Sequence, residues 1–434
     1  VVITGLGVVC PAGTGIEAFW QSMLQNRSAI GPITVFDASN FPCRIAGQLG
    51  EGFSARTYVP KDYRKAVKVM ARDIEIAVAA ADLAFRDSGI VTRGIDPQNT
   101  TIPSKRLGCN IGAGLICTDL DELGSAVISS LKDGKFDFKT WGASGMQNLT
   151  PLWLLKYLPN MLSCHVTIIH GAEGPSNTIT CGDASGILSA GEATRQIQRG
   201  AAEVIIAGGA ESKLNPMGLL RQGKLGRLCN DHNDSPAAAC RPFDRQHAGT
   251  IIGEGGGLVI LEELEHALAR GAKIYAEVAG IGAGCDPGGI DVTTPNVGSM
   301  DLSVRSALRN AGIDGASLDA IVAHGTGVPG EDRLEVAAWR AALGSQAAKP
   351  LAVSAGAASG SLFAGAGGVT LALAAMMVHQ QIVPPTPGFA QCDTGCEMNF
   401  ADSARPARLD HVACGAFAVG GQSAAMVLKK YRTA

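Results

Sequence analysis

Two segments of the chain carry residue types that could do chemistry. In residues 174–187 a strand-like run ending Thr180-Cys181 passes through Gly182-Asp183 into an amphipathic helical pattern that begins Ala184-Ser185-Gly186. Such an elbow sets its turn residue at a helix N-terminus, where backbone N–H groups and the helix dipole favour an anion. A cysteine at the turn would be an activated thiolate; here the turn residue is Asp183. Two roles are open to it. It is either an N-cap, contributing about 1 kcal/mol to stability, or one member of an acid/base pair. The second segment, Ala323-His324-Gly325-Thr326-Gly327-Val328-Pro329, places a histidine on a glycine-rich loop between a buried strand and a helix. That histidine is a candidate acid/base group or oxyanion donor. Two small-residue loops complete the set. Residues 353–367 leave room for a ligand without a titratable group and include Ser361, and residues 417–423 offer backbone N–H groups that could line an oxyanion pocket. For both loops, close backbone packing is an equally good reading.

The elements that must position these residues follow from periodicity. Short β-branched runs at residues 1–4, 106–111, 166–169, 203–207, 258–261, 320–323 and 412–417 alternate with Ala/Leu-rich helical patterns at 73–88, 186–199, 301–311, 331–343 and 367–380. Strand–helix alternation of this kind predicts an α/β protein with buried sheets. Residues 203–210 and 413–423 both end a strand-like run in Gly-Gly, a hint of duplication, with two halves meeting near residues 255–265. Residues 115–163 have weaker periodicity and hold Trp141 and Trp153, which suggests an insertion over the first half.

Composition narrows the function class. With 46% hydrophobic and 17% charged residues among 434, a disordered chain is excluded. Lys+Arg 36 against Asp+Glu 39 leaves no basic excess for a nucleic-acid backbone. The 12 cysteines form no CxxC pair, and Cys392 with Cys396 lacks two further ligands for zinc, so free thiols in a reducing cytoplasm are expected. The chain opens on an apolar strand without a basic-then-apolar leader, so no signal peptide is expected. Residues 351–378 are uncharged and long enough to span a bilayer, but five glycines interrupt them, and a buried loop-then-helix is the better reading.

At the level of motifs the chain resembles a β-ketoacyl-[acyl-carrier-protein] synthase of the elongating KAS II type, among the thiolase-fold condensing enzymes. The resemblance rests on residues 1–13, on Arg241-Pro242-Phe243-Asp244, on Gly253-Glu254-Gly255 and on residues 262–277. It implies a thiolase-like, duplicated, five-layer αβαβα fold, with one half at 1–257, bearing the 115–163 insertion, and the other at 258–434. It further implies dimerisation through the first half, an acyl carrier protein as partner and no cofactor.

Carrying the family's site over residue by residue changes the reading. Such synthases hold the growing acyl chain on a cysteine at the elbow, and Asp183 stands at that place. The first catalytic histidine matches His324. The loop that normally carries a lysine and then Gly-His holds Gly356, Gly360 and Ser361 instead, and of the lysine's two glutamate partners Glu335 is kept while Thr370 replaces the other. Thr293 and Thr326 match positions that hydrogen-bond the pantetheine arm, although Val328 replaces the second threonine of that loop. Val419 falls where a gating phenylalanine is frequent, with Phe417 two residues before it. The resemblance therefore implies a cytoplasmic ketosynthase-like protein unable to condense in the usual way. It would be a chain-length-factor-like partner in a homodimer or a heterodimer with a competent ketosynthase, an enzyme using Asp183 and His324 on another acyl-thioester reaction, or a synthase with Cys181 as a rearranged nucleophile.

Overall fold

Both halves of the chain build the same strand array. In the computed structural model, which describes residues 1–288 and 297–432, the first array runs in space Ser176–Ile179, Leu107–Gly112, Val204–Ser212, Glu254–Glu262, Val2–Cys10. The second runs Leu351–Ser354, Ala320–Ala323, His411–Phe417, Gln422–Lys429, Ala276–Cys285, with Asn399–Phe400 added at its outer edge. Numbered by chain order within each half, both read 3-2-4-5-1. The first three strands of each array are parallel and the next two pairings antiparallel. A short pairing, Val2 with Glu277 and Ile3 with Ala276, joins the two arrays. This is the duplicated α/β architecture expected from the sequence.

Helices fill the layers. Arg72–Ser88 and Met161–His170 cover the outer face of the first array, and Gly298–Ala311 and Pro329–Leu343 cover that of the second. Between the arrays lie Ser185–Gln198 and Ala366–Gln380, whose Ile187, Ala190, Leu371 and Met377 are fully buried with Ile205, Val259, Val322 and Met426 of the sheets. Each array has a bulge at the matching place in its first strand, between Ile3 and Gly5 and between Val278 and Gly280. Beyond each bulge a Gly-x-Gly pair lets the outer helix sit on bare backbone. A Cβ on Gly7 would overlap the Ala80 carbonyl, and one on Gly282 the Ser303 carbonyl.

Four details depart from the sequence expectations or refine them. The β-branched run 166–169 is helical, within Met161–His170, because Gly171 at φ 68° ends it and its apolar side packs on Arg72–Ser88. Tertiary burial overrides strand propensity there. Gly208-Gly209 lies inside Val204–Ser212 rather than at its end, since the loop Phe363–Gly365 rests against it. Residue 257 lies in the middle of Glu254–Glu262, which pairs with Val204–Ser212 along its whole length. The uncharged stretch contains, among the described residues, one helical run long and apolar enough to cross a membrane, Phe363–Gln380, and 83% of it is buried between the sheets.

Residues 115–163 form short helices Leu120–Ile128, Phe138–Ala143 and Trp153–Tyr157 and a hairpin, Leu131–Lys132 with Lys135–Phe136.

Candidate functional site

The site forms where the loops that follow strands of both arrays meet. The elbow joins Ser176–Ile179 to the helix Ser185–Gln198, and Gly182 at φ 55° makes the turn. Asp183 is not the N-cap. Ala184 holds that position with no side-chain cap, and the Ser185 hydroxyl secures the turn by accepting the Cys181 N–H at 2.8 Å and donating to the Gly182 carbonyl at 2.6 Å. The N-cap reading of Asp183 therefore does not hold: Ala184 is the cap residue, and no side chain caps the helix N–H groups.

Asp183 is 4% exposed and faces His324, with 3.5 Å between Oδ1 and Nε2. That is an ion-pair separation, longer than a hydrogen bond, and Asp183 Oδ1 and both ring nitrogens of His324 are buried without a hydrogen-bond partner. Burial alone would push the Asp183 carboxyl up, but His324 and the Arg227 guanidinium outweigh it and hold the carboxyl below its ordinary range. For His324 burial works against protonation, and Asp183, Glu335 and Glu331 reverse it and raise the imidazole above its ordinary value. The two shifts favour a carboxylate–imidazolium pair.

His324 sits on a strapped loop. Glu335, in the second turn of Pro329–Leu343, accepts the N–H groups of His324 and Gly325 at 2.8 and 2.9 Å and the Trp339 indole N–H at 3.2 Å. Burial raises the Glu335 carboxyl, while His324 and these donors pull against it. Asp332 accepts the N–H groups of Thr326 and Gly327 at 3.0 and 3.1 Å, and the Thr326 hydroxyl accepts the Val328 N–H at 3.2 Å. The Ser354 hydroxyl donates to the His324 carbonyl at 3.0 Å.

Ser361 lies across a cavity of about 30 Å³ that it lines with His324, Thr326, Gly356, Gly360 and Thr370, room for one or two waters. Its hydroxyl is also buried and unpartnered. Phe417 ends its strand edge-on to His324, with 6.5 Å between ring centroids, and Val419 is half-buried in the turn that follows. Thr293 lies outside the described residues. The structure thus brings Asp183, His324, Ser361, Thr326 and Phe417 to one place.

Sequence reasoning missed Arg227, Gln222 and Glu331. Arg227 is buried, grips Glu331 through Nε and Nη2 at 2.6 and 2.8 Å, and donates through Nη1 to Gln222 at 2.7 Å. No local signal could have joined Arg227 to Glu331 across the intervening chain. Cys181 is half-buried, and burial pushes its thiol up, with Cys285 adding to the shift. Among the described residues no group of three or more His, Cys, Asp and Glu side chains could hold a metal ion.

Comparison with known proteins places this geometry. Residues 1–267 match the beta-ketoacyl synthase N-terminal domain and residues 275–390 its C-terminal domain. The chain is 32% identical over 432 residues to a 3-oxoacyl-[acyl-carrier-protein] synthase 2 of Vibrio harveyi, covering 99% of this chain and 98% of that one. It is also 32% identical over 437 residues to the granaticin polyketide putative beta-ketoacyl synthase 1 of Streptomyces violaceoruber, covering 99% and 98%. Among solved structures, the ishigamide ketosynthase/chain length factor superposes with a TM-score of 0.84 at 26% identity, over 99% of each chain.

Proposed function

The chain belongs to the β-ketoacyl synthase family, and within it we propose a protein of fatty-acid or polyketide biosynthesis that does not condense by a Cys–His–His mechanism but serves as a chain-length-factor-like partner. The observation that carries this reading is the buried Asp183–His324 pair at the elbow, where synthases of this kind hold a thiol. A carboxylate there forms no stable thioester, and an acyl–Asp anhydride would hydrolyse. The surroundings support the same reading. The family's lysine would fall at Gly356, where even a Cβ would overlap the Gly325 carbonyl. Glu335, the retained lysine partner, has its oxygens filled by three N–H donors. Ser361, at the second histidine's place, cannot carry a positive charge.

In this reading Asp183, His324 and Ser361 face the acyl end of a phosphopantetheine-linked chain brought by an acyl carrier protein. Thr326 lies along the arm, and Phe417 and Val419 border the entrance. Dimerisation, with a competent ketosynthase or a second copy, uses the first half. There the insertion exposes Ile128, Phe138 and Leu152 at 69%, 81% and 67%, and Ser176–Ile179 forms the outer edge of the sheet. The protein is proposed to work in the cytoplasm. Incubation with an acyl-carrier-protein thioester followed by intact-mass analysis should find no acyl adduct, and co-expression with an intact synthase should give a mixed dimer. A stoichiometric acyl group on Cys181 would overturn the proposal.

The Asp183–His324 pair also favours a second reading, an acid/base reaction on an acyl thioester. Turnover by the lone protein, lost in Asp183→Ala, would decide for it.

A further inference from the structure

The loop that presents His324 and Thr326 is tied to a second histidine that the proposed function leaves unused. His247 is 8% exposed and lies between two carboxylates. Its Nδ1 is 3.0 Å from Asp332 Oδ2 and its Nε2 is 3.2 Å from Asp393 Oδ2. A neutral imidazole has one donor and one acceptor nitrogen, so it can serve only one of these oxygens; the doubly protonated ring serves both. Asp332 is the carboxylate whose Oδ1 holds the Thr326 and Gly327 N–H groups, and its Oδ2 also accepts the Phe243 N–H at 2.8 Å. The same Asp393 oxygen, Oδ2, also accepts from Arg333 through Nε and Nη2 at 3.0 and 2.6 Å. The histidine's own segment meets the same loop, with the Gly249 N–H donating to the Gly327 carbonyl at 3.0 Å.

We propose that His247 is a positioning residue, held as an imidazolium between Asp332 and Asp393, whose proton locks the loop bearing His324 and Thr326 in place. This goes beyond the proposed function and holds whether or not Asp183 does chemistry. The groups that face the clamp are Asp332 and Arg333 on the helix Pro329–Leu343, Asp393 and the buried Cys396 thiol on the loop that follows residue 390, and Cys240 and Asp244 on the histidine's own segment. Burial alone would lower the His247 pKa, but Asp332 and Asp393 outweigh it and raise it above the ordinary value. The sign follows. Stability from this group is fully present below about pH 6.5, the unfolded value, and is lost as pH rises through the raised folded value. Above that point one of the two carboxylates faces a bare ring nitrogen and the strap on Thr326 and Gly327 loosens.

The test is hydrogen exchange resolved to single amides, corrected for intrinsic rates, together with NMR titration of carbon-13-labelled histidine. In the wild-type chain, protection at Thr326 and Gly327 should fall at least about tenfold between about pH 6 and about pH 9, the worth of a charge-assisted hydrogen bond. The amides of Ala320–Ala323, paired with a strand on each side, should change less and serve as the internal control. His247→Arg should keep protection high at both pH values, and His247→Gln should leave it low at both. Equal wild-type protection at the two pH values, or a neutral His247 at about pH 6, overturns the proposal. Should His247→Arg fail to fold, the wild-type titration decides alone.

Discussion

The two sides of the candidate site are built on opposite terms. On the side of residues 324–328 every backbone N–H is claimed: two by Glu335, two by Asp332 and one by the Thr326 hydroxyl. On the facing side, Asp183 Oδ1 and Ser361 Oγ are buried with no hydrogen-bond partner, and both nitrogens of His324 join them. Buried polar groups are normally satisfied, and an orphan costs roughly 1–3 kcal/mol. The contrast teaches that this fold secures the backbone of its loops and leaves the side-chain tips unsatisfied, the arrangement of a site kept ready for a guest rather than of a core.

The largest test of that contrast is Asp332→Ala, which strips the Phe243, Thr326 and Gly327 N–H groups of their acceptor. It should lower unfolding free energy by at least about 3 kcal/mol in a denaturant titration; a loss under about 1 kcal/mol would mean that the strap is not structural. Arg227→Met comes next. It leaves Glu331, whose side chain is 11% exposed, without its partner, and should cost roughly 2–3 kcal/mol, below the range for a fully buried pair. An Arg227→Met/Glu331→Leu double variant should recover most of it.

Asp183→Asn should lower stability at neutral pH, where the carboxylate's contribution is fully present, and change its pH dependence. The lowered Asp183 contributes above about pH 3.9, and its share is lost as pH falls through its depressed value. The raised His324 contributes below about pH 6.5, and its share is lost as pH rises through its elevated value. The variant should remove the acid-side loss and move the His324 titration down, read by NMR of labelled histidine. An unmoved titration would show the two groups to be uncoupled. The smallest effect is expected for Ser361→Ala, which removes an unsatisfied hydroxyl: a midpoint change within about 0.5 kcal/mol, or a slight gain. A large loss there would erase the contrast between the two sides.

Much of this was legible in the sequence, for reasons particular residues make plain. The strand-to-helix elbow at Gly182-Asp183 and the glycine-rich loop at His324 are local patterns, and local patterns survive folding. The helices at 331–343 and 367–380 followed from periodicity and are found within Pro329–Leu343 and Ala366–Gln380. What sequence could not supply was pairing across distance. Arg227 with Glu331 and His247 with Asp332 and Asp393 are contacts between segments far apart in the chain. The N-cap reading of Asp183 failed for a different reason. The helix starts one residue later than that reading needs, with Ala184 at the cap position, and residue types do not fix a helix start to the residue.

The placement of the strand Val2–Cys10 has a consequence for how the molecule comes into being. Apart from the short pairing of Val9 and Cys10 with Gly13–Thr14, its partners are Glu254–Glu262 and Ala276–Glu277. A ribosome adding roughly 5–20 residues per second delivers the long partner strand roughly ten to fifty seconds after it. Throughout that interval the nascent first half is an incomplete sheet with an open seam, closed only when translation delivers Glu254–Glu262.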